Sequence, residues 1–219
     1  MTATATANIP GQIADEIRDE IIRGKRAPGS HLLQVQLERT FSASRGPVRE
    51  ALKLLAAEGL VHHDPNRGFF IAEISAAEAR QLYRLRQLVE GELLATMAWP
   101  DEAQLARLEE LIRDIESALA GGDRSEWVRR HRAFHIALFE LSDAGTFVRE
   151  CLRLWMLTDR YRSLLPGPSA LGDARWGPTD ERSILAALTQ RDRAALIEIV
   201  ESDRKRVEGL ILEVLDMRC

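Results

Sequence analysis

The stretch SASRGPVREALKLLAAEGL, Ser42 to Leu60, decides how the front of the chain is read. Val48, Ala51, Leu52 and Leu55 recur at helical spacing and form a stripe to be buried. Ser44 stands at the N-cap position. Pro47 falls in the first turn, where amides lack helical partners and a missing N–H costs little. Arg45, Arg49 and Lys53 follow one another at i, i+4 and i+8 on a flank beside the stripe. A helix start offers free amides and the positive end of the dipole, and two arginines project from it. Phosphates and guanine edges are bound by such a combination.

Working outward, IPGQIADEIRDEIIRG places Ile13, Ile17, Ile21 and Ile22 at helical spacing and ends on Gly24. KRAPGSHL reads as a turn around Pro28-Gly29. LQVQLERTF predicts a short second helix with Val35 and Leu37 in the core, and Ser42-Ala43 allow a tight turn before the third. After Gly59, LVHH and GFFIA read as two short strands joined by DPNR, a hairpin tip carrying Arg67. Three helices and a hairpin within about 65 residues describe a winged helix-turn-helix. A small helical domain with a surface hairpin is the plainer alternative.

The totals are compatible with either. At 219 residues the chain makes one large domain or two small ones, and it buries roughly 70% of its unfolded surface without needing a disulfide or metal. Apolar residues are 45%, charged 29% and aromatic only 5%, which favours a mainly helical fold. The net charge of −4 argues against a generic nucleic-acid binder. Residues 1–74, however, hold nine Lys/Arg against nine Asp/Glu, so the whole excess falls on 75–219. Cys151 and Cys219 make no disulfide framework, and a cytoplasmic location is the simplest expectation. MTATATANIP has neither the basic start nor the apolar core of a signal peptide. No apolar run approaches 18 residues, so no membrane span is expected.

The motifs SRGPVREALKLLAAEGL and PNRG resemble the N-terminal domain of GntR-family transcriptional regulators, whose signature includes SR-x-PVREAL-x-x-L-x-x-EGL and a P-N-R-G wing. The resemblance covers about 60 residues. It implies that Arg45 and Arg49 contact bases, that Ser44 contacts phosphate, and that His63, Asn66, Arg67 and Gly68 line the wing. Two positions depart from the pattern. Val35 stands where the family often has arginine, and Gly46, within the contact surface, stands where threonine is common. Neither offers the hydrogen bond of the usual residue, so the preferred operator is expected to differ.

From Ser75 onward, helices are predicted at about 76–98, 101–120, 124–142, 146–164, 178–190 and 192–217, punctuated by Pro and Gly. Six such helices make an all-α bundle. The expected organisation is a disordered 1–8, a DNA-binding domain over 9–74, and a helical ligand-binding and dimerisation domain over 76–217. The loop LLPGPSALGDARWGP, Leu164 to Pro178, is expected near a pocket mouth.

Four ionisable residues in this half sit where apolar ones belong. His131 and His135 share a face with Val128 and Leu138. Glu181 lies on the line of Ile184, Leu185 and Leu188, and Asp203 falls among Leu196, Val200, Val207 and Leu210. Buried charges are costly unless paired or bound to an ion, so a shared polar centre is expected. The H-x-x-x-H spacing suits two imidazoles on one metal. HRAFH lacks the glutamate of the H-E-x-x-H proteases, and no phosphate loop or G-x-S-x-G is present.

LYRLRQLVEGELLATMA, FHIALFELSDAG and DERSILAALTQRDRAALIEIVESD resemble the FCD ligand-binding domain of FadR-like GntR regulators, over most of 76–210. Many such domains hold a divalent metal on an aspartate and three histidines. Matched by position, His131 stands for the aspartate and His135 for the first histidine. Glu181 and Asp203 stand for the other two. Two imidazoles and two carboxylates suit zinc, nickel or manganese; ion pairing among them is the competing reading. The resemblance also implies a small organic acid beside the metal, with Arg86 facing its carboxylate, and Trp155, Arg160, Tyr161 and Arg162 are candidates for the opposite wall. The expected function is a ligand-responsive regulator that binds a palindromic DNA operator as a homodimer. The alternative is a metal-dependent enzyme built on the helical half.

Overall fold

A computed structural model of the chain describes residues 8–165 and 179–217. The terminus expected to be disordered, apart from Asn8, and nearly all of the Leu164–Pro178 loop lie outside the described residues, as does Cys219. Two compact units divide the chain, residues 1–75 and 76–219. Among the described residues there are nine helices and three short strands.

The first unit runs α1 (Ile9–Ile22), β1 (His31–Leu32), α2 (Gln34–Thr40), α3 (Arg45–Glu58), β2 (Val61–Asp64) and β3 (Gly68–Ile71). Asn8 opens α1 by accepting the Gly11 amide at 3.1 Å, which satisfies one of the helix's orphan donors. The expected stripes are buried: Ile13, Ile17 and Ile21 of α1, and Val48, Ala51, Leu52 and Leu55 of α3. Arg18 ties the two helices with a two-pronged bond to Glu58, at 2.9 and 2.6 Å. Gly59 ends α3 in the left-handed region at φ 81, where only glycine is free of a Cβ penalty. Ser42 takes φ 48 between α2 and α3, the tight turn that the sequence allowed.

The strands form one antiparallel sheet in the order β1-β3-β2, with His31 opposite Phe70, and Asp64 opposite Gly68. One local expectation is corrected. Val35 is 58% exposed rather than in the core, because α2 has seven residues and buries only Leu37. β1 was not foreseen, since two residues carry no alternation to detect. Ser44 does occupy the N-cap of α3, but its side chain makes no capping hydrogen bond.

The second unit is all helical: α4 (Ala76–Thr96), α5 (Glu102–Ala120), α6 (Arg124–Phe139), α7 (Gly145–Arg162), α8 (Thr179–Gln190) and α9 (Arg193–Asp216). Asp101 starts α5 with a capping box, its carboxylate taking the Gln104 amide at 2.8 Å while the Gln104 side chain accepts the Asp101 amide at 2.9 Å. Asp123 and Asp192 cap α6 and α9 in the simpler way. Leu93, Ile112, Ile115, Phe134, Leu138, Cys151, Ile184 and Leu196 form the dry part of the core. Among the described residues no helix is long and apolar enough to cross a membrane.

Candidate nucleic-acid interface and metal centre

In the first unit the basic side chains divide into two sets. Arg18, Arg23, Arg26 and Lys53 are each paired with a carboxylate. Arg39, Arg45 and Arg49, like Lys25, form no ion pair among the described residues, and Arg45 and Arg49 are exposed on the first two turns of α3. Ser44 and Gly46 are exposed beside them. A Cβ built on Gly46 meets nothing within 4 Å, so the fold does not require glycine there. A groove beside this helix start is lined by Leu33, Gln34, Val35, Arg39 and Arg45. Free guanidinium groups next to a helix N-terminus make an anion-binding surface.

The hairpin tip is held by contacts within the hairpin and with His31. The Asp64 carboxylate accepts the amides of Asn66 and Arg67 at 2.8 and 3.1 Å. The Asn66 amide is the main cause holding that carboxyl below its ordinary range. Gly68 takes φ +100, and a side chain there would come within 3.1 Å of His31. Arg67 lies over the Phe70 ring at 5.0 Å, and His63 packs on Phe69 at 4.4 Å. His63, Asn66 and Arg67 are exposed, and Gly68 is half-buried.

In the second unit α6 brings His131 and His135 together, with ring centroids 4.6 Å apart. Ligand atoms of His131, His135 and Asp203 all lie within 4.8 Å of one another. Glu181 falls outside that triangle and sits 3.4 Å from His131 Nε2. Arg162 donates to His131 Nδ1 at 3.2 Å, and Arg206 bonds both Asp203 and Asp180, the latter at 2.8 Å. His135 is 3% exposed, and its Nδ1 has no hydrogen-bond partner among the described residues.

Burial is the largest influence on the titration of these groups. It drives both imidazoles well below their ordinary value, with the Arg162 charge next, so they are neutral at pH 7. It pushes Glu181 up to about 7. Two neutral imidazoles and a carboxylate with converging donor atoms fit a divalent transition metal. The unpartnered His135 nitrogen supports that fit, since buried polar atoms ordinarily find a partner.

Four of the residues expected to hold the effector, Arg86, Trp155, Arg160 and Tyr161, are bonded internally. Arg86 donates to Glu90 at 2.6 Å and to Thr158 at 3.2 Å, and lies over Trp155 at 4.2 Å. Trp155 donates its indole N–H to Glu90 at 2.7 Å, and Arg204 approaches the other oxygen of Glu90 at 3.2 Å. Arg160 pairs with Glu78 at 2.6 Å, and Tyr161 donates to the same carboxylate. The pocket at the histidines is lined instead by Trp127, His131, Arg162, Asp180, Glu181, Asp203, Arg206 and Val207. Glu90 and Arg204 were not singled out on sequence. The signal was present: both interrupt apolar helical lines, Glu90 between Tyr83 and Leu94, and Arg204 between Val200 and Val207.

Comparison with known proteins bears on both units. Residues 10–71 match the bacterial regulatory proteins of the gntR family, and residues 81–203 match the FCD domain. The HTH-type transcriptional regulator YdhC of Bacillus subtilis is 32% identical over 135 residues, covering 60% of this chain and 59% of its own length. This chain therefore spans less than two thirds of that relative. The HTH-type transcriptional repressor RspR of Escherichia coli is 30% identical, covering 72% of this chain and 69% of its own. The solved structure of Escherichia coli McbR superimposes with a TM-score of 0.78 at 20% identity, over 97% of this chain and 99% of that one. That last likeness is one of fold.

Proposed function

Because the chain belongs to the gntR family of bacterial regulatory proteins and carries an FCD domain, we propose that it is a ligand-responsive transcriptional regulator that binds a palindromic operator in double-stranded DNA as a homodimer. The observation that carries the DNA reading is the exposed pair Arg45 and Arg49 at the start of α3, which form no ion pair among the described residues. Arg45 and Arg49 would read bases, with Ser44 on phosphate, its hydroxyl being free of a capping bond. Gly46 brings the backbone close without a side chain. His63, Asn66, Arg67 and Gly68 would follow the adjacent groove. The proposed site of action is the cytoplasm, where the DNA lies. The relatives named above are regulators and not enzymes, so the enzyme alternative is set aside.

Selection from a random duplex library tests this directly. The full chain should enrich a two-fold symmetric site, with affinity falling steeply as salt rises. Enrichment of no sequence above background would sink the reading. One winged helix spans one half-site, so two copies are needed to reach major grooves roughly 34 Å apart. Light scattering at micromolar concentration should report about twice the 24.6 kDa chain. A strict monomer that protects a symmetric site would contradict the assembly.

In the helical unit the proposed effector is a small carboxylate, assisted by a divalent zinc, nickel or manganese ion. His131, His135 and Asp203 would hold the ion, with Glu181 against His131. Bound there, the ion supplies positive charge on which an anion completes coordination. Arg162 and Arg206 line the pocket, while Arg86, Trp155, Arg160 and Tyr161 stay engaged with Glu90 and Glu78 behind it. Such an effector acts only if it binds two arrangements of the protein unequally. His135→Ala should abolish metal uptake and weaken the effector, leaving DNA binding without effector intact. Elemental analysis and metal titration of untagged protein check this. No stoichiometric metal and no uptake of added ion would leave ion pairing as the role of the cluster.

A further inference from the structure

The contact that distinguishes this metal centre is Arg162 Nη1 against His131 Nδ1, 3.2 Å apart. A guanidinium only donates hydrogen bonds. His131 Nδ1 must therefore present its lone pair to Arg162, and the proton of the neutral ring lies on Nε2, which faces Glu181 at 3.4 Å. A neutral imidazole has one in-plane lone pair to give. In this arrangement Arg162 has it.

A metal can reach His131 by two routes, and each conflicts with Arg162. Ligation through Nδ1 puts the ion where the guanidinium donates. Ligation through Nε2 requires the proton to move to Nδ1, which then points an N–H at the N–H of Arg162. Arg162 has to withdraw in either case. The other arginine imposes no such condition. Asp203 has two oxygens, and Arg206 bonds one of them, Oδ1, so the other stays available to an ion. His135 imposes none either, since its buried Nδ1 has no partner.

We propose that Arg162 is the residue that sets the metal affinity of this site: its guanidinium and a divalent ion are alternative partners of His131, so the ion binds only as Arg162 leaves. The proposal rests on the metal reading given above. It also places Arg162 where its movement reports occupancy. The side chain belongs to the last turn of α7 and lies 5.7 Å from the Trp155 ring. Metal uptake therefore changes both the lining of the pocket, which includes Arg162, and the surroundings of the Trp155 ring.

The test is calorimetric titration of untagged, full-length protein with zinc alone and with nickel alone. The proteins compared are the wild type, Arg162→Gln, Arg162→Met and His131→Ala combined with Arg162→Gln. Removing one positive charge and one competing donor beside a divalent ion should tighten binding by about tenfold or more. The gain should appear in both single variants and vanish when His131 is also removed. Methionine keeps most of the stem, so it preserves the comparison if glutamine does not fold, and thermal melts confirm the fold of each. A wild type that takes no ion beside an Arg162→Gln that does also supports the proposal. Equal or weaker binding in the variants overturns it while leaving the metal reading in place. No binding in any protein overturns both.

Discussion

Replacing Arg45 and Arg49 together with alanine is expected to abolish sequence-specific DNA binding while leaving the fold intact. Each base-contacting arginine contributes about 1–3 kcal/mol of specific binding, so the pair accounts for roughly two to four decades of affinity if their effects add. The fold should not notice. Neither side chain has an ion pair to lose, both are exposed, and alanine is a better helix former than arginine. Arg67→Ala should act differently. The side chain stands at the wing tip over Phe70, so its loss should lower the salt dependence of binding more than the choice of sequence. Gel-shift titration at two salt concentrations, beside urea denaturation, separates the cases. Unchanged operator affinity in the double variant would remove α3 from the DNA interface.

Removing the Glu90 carboxylate should produce the largest loss of stability. Glu90 is fully buried, and its two oxygens answer the guanidinium of Arg86, the indole of Trp155 and the guanidinium of Arg204. Glu90→Ala leaves two buried arginines without their shared counter-charge, and breaking a buried pair this way costs about 3–5 kcal/mol. That is a large share of the 5–15 kcal/mol or so that holds an ordinary domain together. Glu126→Ala is the control, because its arginine partners Arg129 and Arg130 are at the surface, where solvent screens such pairs and losing one costs little. Urea midpoints of the three proteins decide it. A Glu90→Ala variant within 1 kcal/mol of the wild type would show that the arginines find other partners.

The two halves of the chain differ in how much their sequence discloses. The helices were legible wherever an apolar stripe was long: Ile13, Ile17 and Ile21 repeat with one period, and so do Val48, Ala51, Leu52 and Leu55. Gly59 was legible as a stop because a left-handed residue must follow the last turn. Val35 misled because α2 is too short for periodicity to mean much, and a valine among glutamines reads as core by default. The polar centre was legible as a set of misplaced charges. Its internal wiring was not. A sequence places His131, His135 and Asp203 on inward faces, but the pairing of Arg162 with His131, and of Arg206 with Asp203, depends on side-chain reach across helices. Arg86 shows the same limit. Its inward position was foreseen, whereas its partner Glu90, one turn along the same helix, was given no role.

The histidine pair is also wrapped in indole. Trp127 lies 5.4 Å from His131, and Trp155 lies 4.5 Å from His135 and 6.0 Å from His131. Two of the four tryptophans in the chain thus border the atoms where an ion or an acid would settle. Indole emission responds to charge placed beside the ring, so the protein carries its own optical probe of that site. Occupancy can be followed in unlabelled protein by light alone, and Trp155→Phe would identify which ring is reporting.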